Sequence, residues 1–296
     1  MLYQQIAQNK RKTAFLMITF VIILALVGAG IGYLIGGKPL IGIIWAVIGS
    51  VIYLFIVLRN PANLVMNLNH AQEIHEQDDP ELWHIIEDMA MVAQVPMPRV
   101  YIINDESPNA FATGRDPQHS SVAVTSGLRK RLDRSELEGV LGHELSHIKN
   151  YDILVSTIGV VLVGVISFLS DLGSNLIWWG GLGKDDDDDD NILTMVLKIV
   201  SILFVLILGP IAAALAQMAL SRNREFLADA SSVKLTRNPQ GLIRALEKIS
   251  NSQPMKKADR SSAGMYIEDP FKKRSFNSLF DTHPPTEERI KRLKKM

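Results

Sequence analysis

The 296-residue chain is 47% apolar and 21% charged, and its formal net charge is zero. It contains no cysteine, which excludes disulfides, thiolate metal sites and a cysteine nucleophile, so only His, Asp or Glu could hold a metal ion. The zero net charge argues against a dedicated nucleic-acid-binding protein.

The apolar residues are concentrated in four segments, each long enough to cross a membrane as a helix. These segments are 13–36, 40–58, 153–170 and 191–216, and Lys198 is the one charged residue within them. Each consecutive pair is predicted to form a helical hairpin. The second hairpin carries an acidic connection with an uninterrupted run, Asp185–Asp190, to which we assign no function.

Basic residues predict the orientation of these spans, because Lys and Arg accumulate on the cytoplasmic side. When four spans are counted, 28 of the 31 basic residues lie on the same side as the N-terminus. The three exceptions are Lys38, Lys184 and Lys198. Both termini and the polar segments 59–152 and 217–296 are therefore expected to be cytoplasmic.

The first polar segment contains the sequence HELSH at residues 143–147. His143 and His147 are four residues apart and share one face of a predicted helix, where both imidazoles can reach one metal ion. Glu144 is rotated from that face and can take a proton from a water molecule that zinc activates. Asp133 and Glu136 have the spacing of a capping box at the start of this helix. The alternative is that both histidines are ordinary packing or surface residues.

A third ligand is predicted in the second polar segment, since catalytic zinc usually has three protein ligands. Glu225 can bind the metal, and Asp229, one turn later, can accept the second N–H of a ligating histidine. His147 and Glu225 each lie within roughly 9–13 Å of a predicted span, so they are expected at similar heights on the same side. The alternative is that Glu225 and Asp229 face solvent and pair with Arg222 and Arg224.

Two β-rich runs, Arg99–Asn104 and Ser121–Thr125, flank a short strand at Asn109–Thr113. If that short strand lies at a sheet edge, it can bind an extended peptide and align it with the metal. The alternative is a middle strand of a small meander.

Four motifs together resemble the HtpX family of bacterial membrane-bound zinc peptidases, relatives of the eukaryotic CAAX-prenyl endopeptidases. The motifs are HELSH, SRNREFLADAS at 221–231, NAFATG at 109–114 and THPPTEERI at 282–290. The resemblance covers nearly the whole chain. It implies one zinc ion held by His143, His147 and Glu225, with Glu144 as the catalytic glutamate and Asp229 supporting a zinc-bound histidine. It also implies proteolytic quality control in the bacterial cytoplasmic membrane, with misfolded or damaged membrane proteins as substrates.

We therefore expect a mainly α-helical membrane protein whose four transmembrane helices carry a cytoplasmic, Glu-type zincin-like domain with a small β-sheet. The expected organisation is a tail and hairpin (1–58), a catalytic segment (59–152), a second hairpin (153–216) and a second catalytic segment (217–296). The predicted substrate-binding residues are Asn109, Ala110, Phe111 and His283, although His283 could instead belong to a structural turn.

Two other functions are compatible with parts of the sequence. A metal-ion transporter would use HELSH as a transit site, but transport sites normally lie near the middle of the bilayer. A catalytically inactive membrane scaffold is the other alternative. Manganese or iron could replace zinc, since sites of two histidines and one glutamate accept several divalent metals.

Overall fold

A computed structural model describes residues 2–179, 221–272 and 284–296, and the element labels used below count the elements in these ranges. The helices are α1 (Leu2–Gly36), α2 (Pro39–Arg59), α3 (Pro61–Leu68), α4 (Pro80–Ala93), α5 (Ser126–Arg131), α6 (Arg134–Lys149), α7 (Asp152–Trp179), α8 (Arg222–Thr236), α9 (Pro239–Ser250) and α10 (Thr286–Leu293). The strands are β1 (Gln72–Ile74), β2 (Arg99–Ile103), β3 (Ala110–Gly114) and β4 (Ser120–Thr125).

The chain divides into two compact units. The first unit is built from three separate stretches, Met1–Lys12, Asn60–Ile158 and Gln217–Met296, and it contains the sheet and the HELSH helix. The second unit comprises Thr13–Arg59 and Gly159–Ala216.

Within the described residues, two helices are long and apolar enough to span a membrane. Ile6–Gly30 and Pro39–Arg59 have mean hydropathies of 2.4 and 2.7, and a third candidate arises if the bent pair Arg134–Lys149 and Asp152–Ile166 is one broken span. The two apolar helices approach closely at glycine, since a Cβ on Gly42 would overlap the backbone of Gly28. The fourth predicted span and the aspartate run lie outside the described residues.

The sheet of the first unit is mixed, with the strand order β1-β2-β4-β3. Strands β2 and β4 are neighbours and run parallel, with Val100 opposite Val122, while β3 pairs antiparallel with β4. Strand β3 therefore lies at the edge of this sheet. The meander alternative is wrong, because β4 and not β3 occupies the position beside β2.

Helix α6 is the centre of the first unit. Asp133 and Glu136 form the expected capping box, in which each side chain accepts a backbone N–H from the other residue. Its apolar side chains, including Leu137, Leu141 and Leu145, are fully buried in one core together with α4 and α9. Because α6 is covered on several sides, the polar side chains of HELSH that point inward are also removed from water.

Helix α9 touches α6 at Gly139, and this contact generates a stability prediction. A Cβ added at Gly139 would lie 2.7 Å from the backbone nitrogen of Leu242. We expect Gly139→Ala to lower the melting temperature, because overpacking costs about 1–3 kcal/mol and exceeds the gain in helix propensity of about 1 kcal/mol. The control is Gly49→Ala in α2, where nothing lies within 4 Å of the added Cβ. An unchanged melting temperature for Gly139→Ala would contradict this close packing.

Candidate metal centre

Three side chains that can bind a metal ion converge in the first unit. His143 and His147 lie one turn apart on α6, and Glu225 lies in the first turn of α8. Their ligand atoms are all within 4.8 Å of one another. The two histidine Nε2 atoms are 3.1 Å apart, and Glu225 carboxylate oxygens lie 3.4 Å and 3.5 Å from them. This is a set of three protein ligands, the number that catalytic zinc usually has.

The opposite nitrogen of each histidine meets a buried carboxylate. His143 Nδ1 lies 2.9 Å from Asp229 Oδ1, and His147 Nδ1 lies 3.1 Å from Asp152 Oδ2. When each Nδ1–H donates to its aspartate, each Nε2 keeps a lone pair that faces the other ligands. The sequence predicts such a role for Asp229 but not for Asp152. Its position as the first residue of α7, five residues after His147, is the signal that could have indicated it.

Arg289, on α10, is a further residue whose place at the site was not predicted from the sequence. Its side chain is fully buried and donates two hydrogen bonds to Asp229, at 2.7 Å and 2.9 Å, and a third to the carbonyl of Ile267 at 2.7 Å. The two-pronged contact neutralises the Asp229 carboxylate and fixes its orientation. Arg289 falls inside the THPPTEERI motif, but nothing in that basic tail distinguishes it from its exposed neighbours.

Glu144 lies beside the ligands and is 1% exposed. One of its carboxylate oxygens, Oε1, is buried and finds no hydrogen-bond partner among the described residues. Burial raises the pKa of this carboxyl above its usual range, although His143, His147 and a backbone hydrogen bond from Ala112 act in the opposite direction. A buried carboxylate oxygen without a partner is costly, and a water molecule or a substrate group would satisfy it.

The electrostatics of the site favour a positive charge between the ligands. Burial alone lowers the pKa of His143, but hydrogen bonds to Asp229 and Glu225 raise it to about 9. Burial alone raises the pKa of Asp229, yet Arg289 and His143 hold it at about 2. The lowered pKa keeps the Asp229 carboxylate charged, and its negative charge favours a cation beside the ring of His143. A divalent metal ion fits this donor set.

A small pocket opens beside the metal centre and is lined by two of the three ligands, His147 and Glu225. Its cavity volume of about 20 Å³ is enough for roughly one water-sized group. The lining includes Glu144 and, from elements other than the ligand helices, Ala112 on β3, Ile153, Gly264 and Met265. Gly264 and Met265 belong to the segment 251–272, where the sequence predicts no site residue.

The predicted substrate-binding residues do not line this pocket in the described part of the chain. Asn109 and Phe111 are buried. The Asn109 side chain donates a hydrogen bond to the Glu268 carbonyl at 2.9 Å, and the Phe111 ring packs edge-on against Tyr266. Ala110 is also fully buried. Ala112 follows Ala110 on the same face of the strand and is the residue of β3 that lines the pocket. His283 lies outside the described residues.

Comparison with known proteins places this arrangement in a family. The sequence pattern of peptidase family M48 matches residues 76–296 of this chain. The chain belongs to peptidase family M48. It is 70% identical to the protease HtpX homolog of Lactobacillus helveticus and 53% identical to that of Streptococcus gordonii, over the full length of both chains in each case. The crystal structure of S. mikatae Ste24p is similar at 20% identity, with a TM-score of 0.49, over 93% of this chain and 67% of that one.

Membership in the M48 family, together with the HtpX relatives, makes the chain a metalloprotease. It confirms the HtpX-type resemblance that the four motifs indicated. A fold that is mostly helical, with apolar helices and a small mixed sheet, agrees with the coarse fold class expected from the sequence.

The Arg289–Asp229 contact generates a prediction about metal affinity. In Arg289→Met, Asp229 loses its buried counter-charge, so we expect the carboxylate to protonate or turn away from His143. The dissociation constant for zinc should rise roughly 10- to 100-fold, measured by competition with a chromophoric chelator. Lys291→Met, an exposed change on the same helix, is the control and should leave the constant unchanged. A lower melting temperature with unchanged zinc affinity would show that Arg289 supports only the fold.

Proposed function

We propose that this M48 protease is a zinc endopeptidase that cleaves misfolded or damaged membrane proteins at the cytoplasmic face of a bacterial membrane. The observation that carries the proposal is the convergence of His143, His147 and Glu225 beside the buried, unpartnered oxygen of Glu144. One zinc ion per chain held by these three ligands would polarise the scissile carbonyl and make a water molecule more acidic.

The residues around that ion have different roles. Asp229 and Asp152 orient the histidines through their Nδ1 atoms. Glu144 accepts a proton from the attacking water and passes it to the nitrogen of the leaving amine. Its burial favours this exchange, because a raised carboxyl pKa brings the acid and base forms closer in free energy near neutral pH.

Strand β3 is the proposed binding edge for the substrate, with contributions from the segment Asn109–Phe111 and from His283. An extended peptide can add to a sheet edge through backbone hydrogen bonds, and Ala112 lines the metal pocket. The Ile267 N–H already donates to the Ala110 carbonyl at 2.9 Å. We therefore place the pairing with substrate at Ala112, beyond this contact.

Membrane placement and substrate class rest on the sequence. The four apolar segments and the distribution of Lys and Arg favour a multi-pass protein with both termini and the metal centre on the cytoplasmic side. In this arrangement 59–152 and 217–296 form the catalytic domain, and 1–58 and 153–216 carry the two membrane hairpins. A metal centre close to a bilayer would favour protein substrates that are themselves anchored in it.

Replacement of Glu144 tests the chemistry. With detergent-purified protein and casein, Glu144→Gln should lower zinc-dependent cleavage roughly 10²- to 10⁴-fold, because the amide cannot accept a proton. Zinc affinity should stay within about twofold, since Glu144 is not one of the three ligands. The control Glu138→Gln lies on the same helix, paired with Arg134 at the surface, and should cleave like the parent.

The same proteins separate the alternatives. Cleavage by Glu144→Gln at the parental rate would overturn its proposed role, and zinc binding without cleavage by the parent would favour the scaffold function. The protein can also be reconstituted in membranes and given one substrate in a membrane-tethered and a released form. It should cut the tethered form at least about tenfold faster, because tethering raises the effective concentration of the substrate. Equal rates would contradict the preference for membrane-bound substrates.

The lack of cysteine allows a clean test of the orientation. In intact protoplasts, a membrane-impermeant maleimide should label Lys38→Cys and Lys184→Cys, which are predicted to lie outside. Met91→Cys, at a position that is 72% exposed in the first unit, should react only after permeabilisation. Labelling of Met91→Cys in intact protoplasts would contradict a cytoplasmic metal centre.

A further inference from the structure

Asn9 is a buried polar residue near the start of α1, in the part of that helix that belongs to the first unit. Its side chain is 4% exposed. The amide nitrogen donates to Asp152 Oδ1 at 2.8 Å and to the backbone carbonyl of Asn150 at 3.2 Å. An amide nitrogen carries two hydrogens, so both bonds can form at once.

These two bonds bracket the turn between α6 and α7. Tyr151, in the middle of the turn, has a φ of 59°, a left-handed conformation that is unfavourable for a bulky residue. Lys10, next to Asn9, places its ammonium group 5.3 Å from the centre of the Tyr151 ring. Two neighbouring residues of α1 thus hold a strained turn whose last residue is Asp152.

Asp152 uses its two oxygens for different partners. Oδ2 faces His147 Nδ1 at 3.1 Å, while Oδ1 accepts the hydrogen bond from Asn9. Arg224 forms a longer ion pair with Oδ1, at 3.8 Å. The hydrogen bond from Asn9 is short and directional, so it orients the Asp152 carboxylate toward His147.

The two histidines are supported in parallel ways. Asp229 contacts His143 and is itself bound by Arg289. In the same way, Asp152 contacts His147 and is itself bound by Asn9. We propose that Asn9 is a positioning residue of the metal centre, which acts through Asp152 to direct the Nε2 atom of His147 at the metal. This inference rests on the proposed zinc site.

The test compares zinc dissociation constants of the full-length protein, measured by competition with a chromophoric chelator. Removing a residue that hydrogen-bonds to a metal ligand typically weakens metal binding about 10- to 100-fold. Asn9 is one contact further from the metal than such a residue. Asn9→Ala should therefore weaken zinc binding roughly three- to tenfold. Gln8→Ala, at an exposed position on the same turn, is the matched control and should bind zinc like the parent.

A double-mutant comparison distinguishes positioning from a general effect on the fold. In an Asp152→Ala background, Asn9→Ala should change zinc affinity by less than about twofold, because the partner through which it acts is gone. An equal loss in both backgrounds would overturn the proposal, since Asn9 would then act on the fold as a whole.

Asn9→Asp is a second variant that keeps the side-chain volume and removes the donor. It places a carboxylate against Asp152, so zinc binding should weaken at least as much as in Asn9→Ala. A folded Asn9 variant with parental zinc affinity would overturn the role of Asn9. Failure of the parent protein itself to bind zinc would instead overturn the proposed metal site.

Discussion

The metal centre depends on two hydrogen bonds between a histidine and a buried carboxylate, His143 with Asp229 and His147 with Asp152. Each bond determines which ring nitrogen carries the proton, and so leaves each Nε2 free to face Glu225. Buried carboxylates are disfavoured in their charged form unless charge or hydrogen bonds compensate. In the first unit, hydrogen bonds from Arg289 and Asn9 provide that compensation.

The compensating groups come from distant parts of the chain. Arg289 reaches Asp229 from α10, near the C-terminal end, while Asn9 reaches Asp152 from α1, near the N-terminal end. The first unit is correspondingly built from three separate stretches of chain. Because the ligands and their supports lie on different stretches, the site exists only when all three are folded together. Metal binding and folding of this unit are therefore expected to be coupled.

Local patterns predicted the helix that carries HELSH. The capping box at Asp133 and the four-residue spacing of His143 and His147 depend on contacts within one helix, and both are geometric properties of the sequence itself. A strand predicted at 109–113 is present at Ala110–Gly114, but the burial of its side chains was not predicted. Asn109 and Phe111 are buried against the segment around Tyr266, a contact that strand periodicity does not reveal.

The sequence by itself determined the family, the helix that carries HELSH, the small strands and the likeness of its apolar segments to membrane spans. Spacing, capping and hydropathy are local, so they can be read along the chain without knowledge of its packing. Tertiary structure alone decided that Asp152, Arg289 and Asn9 support the histidines, and that β3 lies at the sheet edge. These contacts join residues as far apart as Asn9 and Asp152, and burial gives them their strength, so only the packed core brings them about.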